Sequence, residues 1–343
     1  MSCEPGEGAT GRATLPSPHP PSPPHPLRPL RPLRSLLFVP ANRTEWLPKA
    51  RAAGADAAIL DLEDAVPRQD KASARARVVE AVAGAGTDPS GGMALFVRIN
   101  PLDSWAGAEE LRAVARPGLA GIVLPKVSCV QDVRLADRLL TWCEDEQGLP
   151  RGQLALVPLL ETARGLREAH EIASAAARVA YMGALTAPGG DVERAVGYRW
   201  TPEGTETLAL RSRVLLDVRA AESPHPVTGL WTSLADLAGL RAFAEQNRSL
   251  GYEGMMAIHP SHVPVINDVF SPGPDELARY ARLIAAVEQA QTQGQGAVSF
   301  EGQMVDEAMA ATARLVLERH ARRGTQEKGG ARDSSGARDR SGE

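Results

Sequence analysis

The stretch "AAILDLEDAVPRQDKASARARV" (residues 57–78) starts as a buried strand and continues as a helix. Ala57 to Leu60 are apolar; Asp61, Glu63 and Asp64 follow at once, with Lys71, Arg75 and Arg77 spaced along the helical half. Three carboxylates at the mouth of a hydrophobic strand repel one another, so the folded molecule must offset them. One reading is a cation held nearby, with Lys71 or Arg75 pairing with what remains. The other is a helix N-cap cluster, where the dipole favours acids. This stretch alone supports both.

The same strand-to-helix unit recurs along the chain. Apolar runs at "SLLFV" (35–39), "AAILDL" (57–62), "ALFVRI" (94–99), "GIVLP" (121–125), "LALVPLL" (154–160), "RVAYMG" (178–183), "HPV" (225–227) and "GMMAI" (254–258) alternate with stretches of helical spacing such as "LADLAGLRAFAEQNRSLG" (234–251). The runs lack two-residue alternation, as strands covered on both faces do. About eight βα units over roughly 230 residues predict an α/β fold, a (β/α)8 TIM barrel over 34–272. An open doubly wound sheet would carry a Gly-rich phosphate turn after its first strand, and "FVPANRTEW" (38–46) is not one. Two helical patterns follow, "PDELARYARLIAAVEQAQ" (274–291) and "MVDEAMAATARLVLERHA" (304–321), joined by "TQGQGAVSFEG" (292–302). The Gly-containing connector reads as flexible. The extension, 273–322, is expected to cover the site or pack on a neighbouring subunit.

Composition narrows the function classes. The 343 residues are 43% hydrophobic, enough for a substantial core, and the net charge of −4 excludes the concentrated basic face that nucleic acid or a membrane surface needs. No apolar run approaches the roughly 20 residues of a membrane span. Cys3, Cys129 and Cys143 are odd in number and match no metal spacing, and Cys129 and Cys143 read as packing residues at either end of a helix in a reducing compartment. Residues 1–33, rich in Pro and Arg, read as a disordered tail, as does the polar segment 323–343. So much proline also opposes the amphipathic helix of a mitochondrial transit peptide. The expected compartment is the cytoplasm rather than the mitochondrial matrix.

What ends each strand is more informative. "SLLFV" leads to Asn42 and Arg43, "AAILDL" to Glu63 and Asp64, "ALFV" to Arg98 and Asn100, and "GIVLP" to Lys126. "LALVPLL" leads to Glu161, the segment after "VAYMG" to Asp191, and "GMMAI" to His259. In a barrel these ends converge on the face that carries active sites. Glu161 and Asp191, with Glu63 and Asp64 close behind, form an oxygen-only donor set that favours Mg2+. The guanidinium of Arg98 suits a carboxylate or enolate oxygen, or a structural ion pair with Glu63 or Asp64. Lys126 admits a Schiff-base role, but acids this abundant favour an electrostatic one. His259 in "IHP" is either functional or a packed, hydrogen-bonded histidine; His170 and His225 read as structural.

At these residues the chain resembles the HpcH/HpaI aldolase and citrate lyase β-subunit family, which includes malyl-CoA and citramalyl-CoA lyases. The matching pieces, in family order, are "RSLLFVPANRTEWLPKA", "DAAILDLEDAVPRQDKASAR", "FVRIN", "GIVLPKV", "LLETARGL", "GDVERAVG", "GYEGMMAIHPSHVPVINDVFSP" and "GQMVDEA". The resemblance implies a Mg2+-dependent barrel acting on a CoA thioester, as a homotrimer or dimer of trimers. It implies metal on Glu161 and Asp191, metal-bound waters on Glu63 and Asp64, and Arg98 on the 2-oxo or 2-hydroxy acid and its enolate. Phe38, Arg43 and Lys49 match positions that contact the CoA ester; Gly190 is a close backbone contact, and Ile258 with His259 lies near CoA. Asp306 of "GQMVDEA" matches an Asp that enters a neighbour's site and exchanges protons. One departure concerns "MGALTAPGGD", which leaves Thr186 where the family's Asp falls. Asp191 keeps the spacing to Gly197, so the segment reads as an insertion before the ligand. "SHV" also replaces the usual "SQ" after "IHP".

The expected reaction is reversible carbon–carbon cleavage of a 3-hydroxyacyl-CoA such as malyl-, citramalyl- or citryl-CoA, giving an acyl-CoA and a 2-oxo acid. Asp306 would move the proton at the acyl α-carbon, while Arg98 offsets developing charge. The alternatives are a class II 4-hydroxy-2-oxo-acid aldolase that works without CoA, and a non-catalytic subunit partner.

Overall fold

The computed structural model describes residues 30–85 and 92–333. Residues 1–29 and 334–343 of the two tails expected at 1–33 and 323–343 therefore lie outside the described residues, whereas 323–333 continue the C-terminal helix instead of forming the expected disordered tail. Seven strands are regular: β1 (Ser35–Pro40), β2 (Ala57–Asp61), β3 (Ala94–Arg98), β4 (Gly121–Leu124), β5 (Ala155–Pro158), β6 (Val227–Thr228) and β7 (Gly254–Ala257). They form one sheet in the order β5-β4-β3-β2-β1-β7-β6, parallel throughout. Parallel neighbours need crossovers, and the crossover and flanking helices are α1 (Leu47–Ala52), α2 (Lys71–Ala85), α3 (Trp105–Val114), α4 (Val130–Gln147), α5 (Ala163–Arg167), α6 (Ala169–Ala173), α7 (Asp191–Val196), α8 (Thr205–Ala220), α9 (Leu237–Leu250) and α10 (His262–Val269). Among the described residues no helix is long and apolar enough to cross a membrane.

The missing alternation has the expected cause. Leu37, Leu60, Val97, Ile122, Leu156 and Met255 pack outward against the helices, while Leu36, Ile59, Phe96, Val123, Val157 and Met256 pack inward against one another. Both faces of each strand are buried, so a period of two is present but invisible in hydropathy.

Eight strands were expected and seven are regular. The 178–183 run joins its neighbours only through isolated parallel bridges, Leu156 to Val179 and Leu185 to Gly229. A positive φ of 55° at Tyr181 turns the backbone out of the strand region. Further backbone bonds, Ala180 N–H to the Leu156 carbonyl and Leu230 N–H to the Thr186 carbonyl, still seat this segment between β5 and β6.

Residues 30–34 extend the folded region upstream of the expected boundary. Leu33 is buried in the inward cluster, and Tyr181 Oη donates to the Arg31 carbonyl. Arg34 clamps Asp56 through Nη2 at 2.7 Å and Nε at 3.0 Å. At the other end, α11 (Pro274–Thr292) and α12 (Glu307–Asp333) pack together. The connector between them is ordered as an antiparallel hairpin, β8 (Ala297–Phe300) and β9 (Gln303–Asp306), turned at Glu301 and Gly302, both with positive φ. Leu283, Val287, Val305, Ala310 and Ala313 give the extension a small core of its own.

Candidate active site

A cavity of about 330 Å³ opens at the C-terminal ends of the strands. Phe38 and Pro40 of β1, Asp61 of β2, Arg98 of β3, Glu161 after β5, Asp191 at the start of α7, and Ile258 after β7 all face it. The expected substrate residues Phe38, Arg98, Gly190 and Ile258 thus meet the expected metal ligands Glu161 and Asp191, with Asp64 at the rim. Leu159, Leu185, Ala187, Val192 and Leu230 supply an apolar wall.

Arg98 organises the polar side. Its Nε and Nη2 donate to the two oxygens of Asp61 at 2.7 and 2.6 Å. Its Nη1 lies 3.1 Å from Glu63 Oε2 and 3.9 Å from Glu161 Oε1, and the Phe38 ring covers the guanidinium at 4.9 Å. Burial works against its charge, but Asp61, Glu63 and Glu161 outweigh burial and hold Arg98 firmly protonated. The ion pair left open between Glu63 and Asp64 is made chiefly with Asp61, with Glu63 as a second partner. Asp61 was visible in the sequence only as one of three acids. Its signal was positional, because Asp61 and Arg98 close consecutive strands and pair in register.

Glu63 is buried with cations on both sides, Arg98 and the Lys126 Nζ at 2.7 Å from Oε1. Burial nonetheless pushes its carboxyl up by more than those cations lower it. Lys126 gains from the same pair, and its amine is raised by Glu63. Neither Glu63 oxygen has a well-directed hydrogen-bond partner. Glu161 is likewise raised by burial, although the Lys126 backbone N–H, 2.9 Å from Oε2, and Arg98 pull the other way. Asp191 meets the Arg194 guanidinium. Lys71 does not pair with the acids: it donates to the Leu62 and Glu63 carbonyls and to Asn100, while Arg75 pairs with Glu109.

Other expected residues stand apart from the cavity lining. Arg43 and Lys49 flank the Trp46 ring at 5.7 and 5.9 Å. His259 Nδ1 engages Ser261 Oγ at 2.7 Å. Thr186 is fully buried and its hydroxyl lacks a partner. Asp306 ends β9 on the exposed hairpin, where its carboxylate accepts the Met309 N–H. Arg319 of α12 pairs with Glu253, just before β7, which holds the extension to the opposite end of the strands. Within one chain, Asp306 is therefore not brought to the cavity.

Among the described residues no group of three or more His, Cys, Asp or Glu is arranged to hold a metal. A Mg2+ site needs fewer, since this ion keeps several waters and takes one or two carboxylates plus substrate oxygens. Glu161 and Asp191 supply that hard donor pair on one cavity, with the Asp64 carboxylate at its rim. The residues present fit the ion.

The chain has relatives among known proteins. The family model for HpcH/HpaI aldolase/citrate lyase matches residues 34–260. A citrate lyase subunit beta-like protein of Deinococcus radiodurans is 38% identical over 84% of this chain and 97% of its own. Two proteins of Cereibacter sphaeroides, a (3S)-malyl-CoA thioesterase and an L-malyl-CoA/beta-methylmalyl-CoA lyase, are 34% and 33% identical; they cover 83% and 82% of this chain and each matches over 93% of its own length. Among solved structures, CitE of Mycobacterium tuberculosis in complex with magnesium, acetoacetate and coenzyme A superposes with a TM-score of 0.66 at 29% identity, covering 85% of this chain and 100% of that one.

Proposed function

The chain belongs to the HpcH/HpaI aldolase/citrate lyase family of CoA-ester lyases, and on that premise we propose that it cleaves a 3-hydroxyacyl-CoA, reversibly and with Mg2+, into an acyl-CoA and a 2-oxo acid. The observation that carries this reading is the meeting of Glu161, Asp191 and Arg98 on one cavity with an apolar wall. Malyl-, citramalyl- and citryl-CoA are the candidate substrates. We read the sheet, with the 178–186 segment, as the full eight-position barrel of a cytoplasmic homotrimer or dimer of trimers.

Glu161 and Asp191 would hold the ion, with waters on Glu63 and Asp64; when bound, Mg2+ supplies Lewis-acid polarisation of the acid's oxygens and neutralises charge. Arg98 keeps donors free after engaging Asp61 and Glu63, because a guanidinium carries five N–H groups. Those donors are placed to stabilise the negative charge that develops on the enolate oxygen. Phe38 shields the guanidinium face from water, which strengthens that interaction. Leu159, Leu185 and Leu230 keep water from the acyl portion, with Gly190 and Ile258 of the lining, and Arg43, Lys49 and His259 outside it, meeting the CoA ester. Asp306 of a neighbouring subunit would take or return the proton at the acyl α-carbon.

The test is a screen of malyl-, citramalyl-, methylmalyl- and citryl-CoA with purified protein, with Mg2+ and with chelator. The reading requires Mg2+-dependent release of acyl-CoA and 2-oxo acid in equal amounts. Free CoA without 2-oxo acid would make the protein a thioesterase instead, an activity carried by the 34% identical relative. Cleavage of a 4-hydroxy-2-oxo acid without any thioester would make it the CoA-independent aldolase.

A further inference from the structure

Arg98 stands between two sets of carboxylates, and we propose that Asp61 is a positioning residue that holds Arg98 off Glu161 and so leaves Glu161 free for the divalent cation. This rests on the reading of Glu161 as a metal ligand.

Asp61 is 3% exposed and ends β2 directly opposite Arg98 on β3. It engages two nitrogens of the guanidinium at 2.6 and 2.7 Å, whereas the nearest approach to Glu161 is 3.9 Å, the outer limit of an ion pair. Asp61 is itself fixed, since its oxygens accept the N–H groups of Glu63 at 2.9 Å and Ala65 at 3.3 Å. With the Phe38 ring over one face, the guanidinium's simplest movement is a pivot in its own plane. Released from Asp61, the guanidinium keeps Glu63 and Glu161 as its carboxylate neighbours, at 3.1 and 3.9 Å from Nη1.

The balance is electrostatic. Glu161 is a nearly buried carboxylate, its side chain 11% exposed, and attraction across about 4 Å grows severalfold where water is excluded. An unrestrained Arg98 would close on it, and a forked contact would occupy the lone pairs that a cation needs. Asp61 prevents this by engaging one side of the guanidinium from the adjacent strand. The mere turn-forming role of Asp61 makes a different prediction, which a double variant separates.

Mg2+ binding to the full-length protein, measured by isothermal titration calorimetry, decides between them. Parent, Asp61→Asn, Arg98→Gln and the double variant are compared, with a thermal melt of each as a folding check. Asp61→Asn should weaken Mg2+ binding by at least about tenfold. Adding Arg98→Gln should restore it to within about threefold of the parent, because the guanidinium that would close on Glu161 is gone. Unchanged affinity in Asp61→Asn overturns the proposal, as does a double variant no better than the single one. If Asp61→Asn does not fold, the double variant, a neutral amide pair, decides alone: near-parent affinity supports the proposal and lost affinity overturns it. A parent protein that binds no Mg2+ removes the metal reading of Glu161 together with this inference, an outcome distinct from the others.

Discussion

Glu253 joins four parts of the molecule at the end of the strands away from the cavity. Its carboxylate meets His225 Nδ1 at 2.7 Å, Arg219 Nη2 at 2.9 Å and Arg319 Nη1 at 3.0 Å, and the other ring nitrogen of His225 reaches the Leu30 carbonyl at 3.0 Å. Burial raises a carboxyl group, but His225, Arg319 and Arg219 outweigh it and hold Glu253 down at about 2. An unfolded Glu titrates near about 4.3, and a difference of roughly two pH units is worth about 3 kcal/mol. The folded value is the lower one, so this stability is complete above about pH 4.3 and is lost as pH falls through the folded value; about half remains at pH 3. Glu253→Gln should therefore cost about 3 kcal/mol at pH 7 and about half that at pH 3. Denaturant unfolding of parent and variant at both pH values gives the difference directly, since other carboxylates cancel in the comparison. An equal difference at the two pH values, or none at pH 7, would refute the reasoning.

Two further outcomes follow from the geometry. A Cβ at Gly183 would lie 1.9 Å from the Val227 carbonyl oxygen, so Gly183→Ala should lower stability by about 3 kcal/mol as the 178–186 segment is pushed from β6; an unchanged thermal melt would contradict that placement. If Asp306 works in a neighbour's site, Asp306→Asn and Glu161→Gln should each be inactive, yet regain about a quarter of parent activity when mixed and reassembled in equal amounts. No recovery from reassembled mixtures would remove the shared-site role.

The sequence was most legible where strands end. Asp64, Arg98, Glu161, Asp191 and Ile258 each follow or close an apolar run, and parallel strands bring such residues to one face regardless of the details of packing. It was less legible where backbone conformation decides. The 178–183 run has strand composition, but positive φ at Tyr181 and the tight fit around Gly183 interrupt its pairing, and hydropathy carries no trace of either. The 292–302 connector reads as flexible from its glycines, whereas Ala297–Phe300 alternates exposed and half-buried residues and pairs with Gln303–Asp306. The choice of Asp61 as the main partner of Arg98 depended on strand register, which one sequence does not state. Residues 30–33 looked like the end of a proline-rich tail, yet Leu33 is a core residue.

The proposed lyase activity requires one divalent ion held by both Glu161 and Asp191. Crystals of the protein grown with Mn2+ in place of Mg2+, with anomalous scattering recorded, would locate it. The expected result is a single strong peak in the cavity, roughly 2.1 Å from an oxygen of each carboxylate. A peak elsewhere, or two carboxylates facing apart with no ion between them, would contradict it.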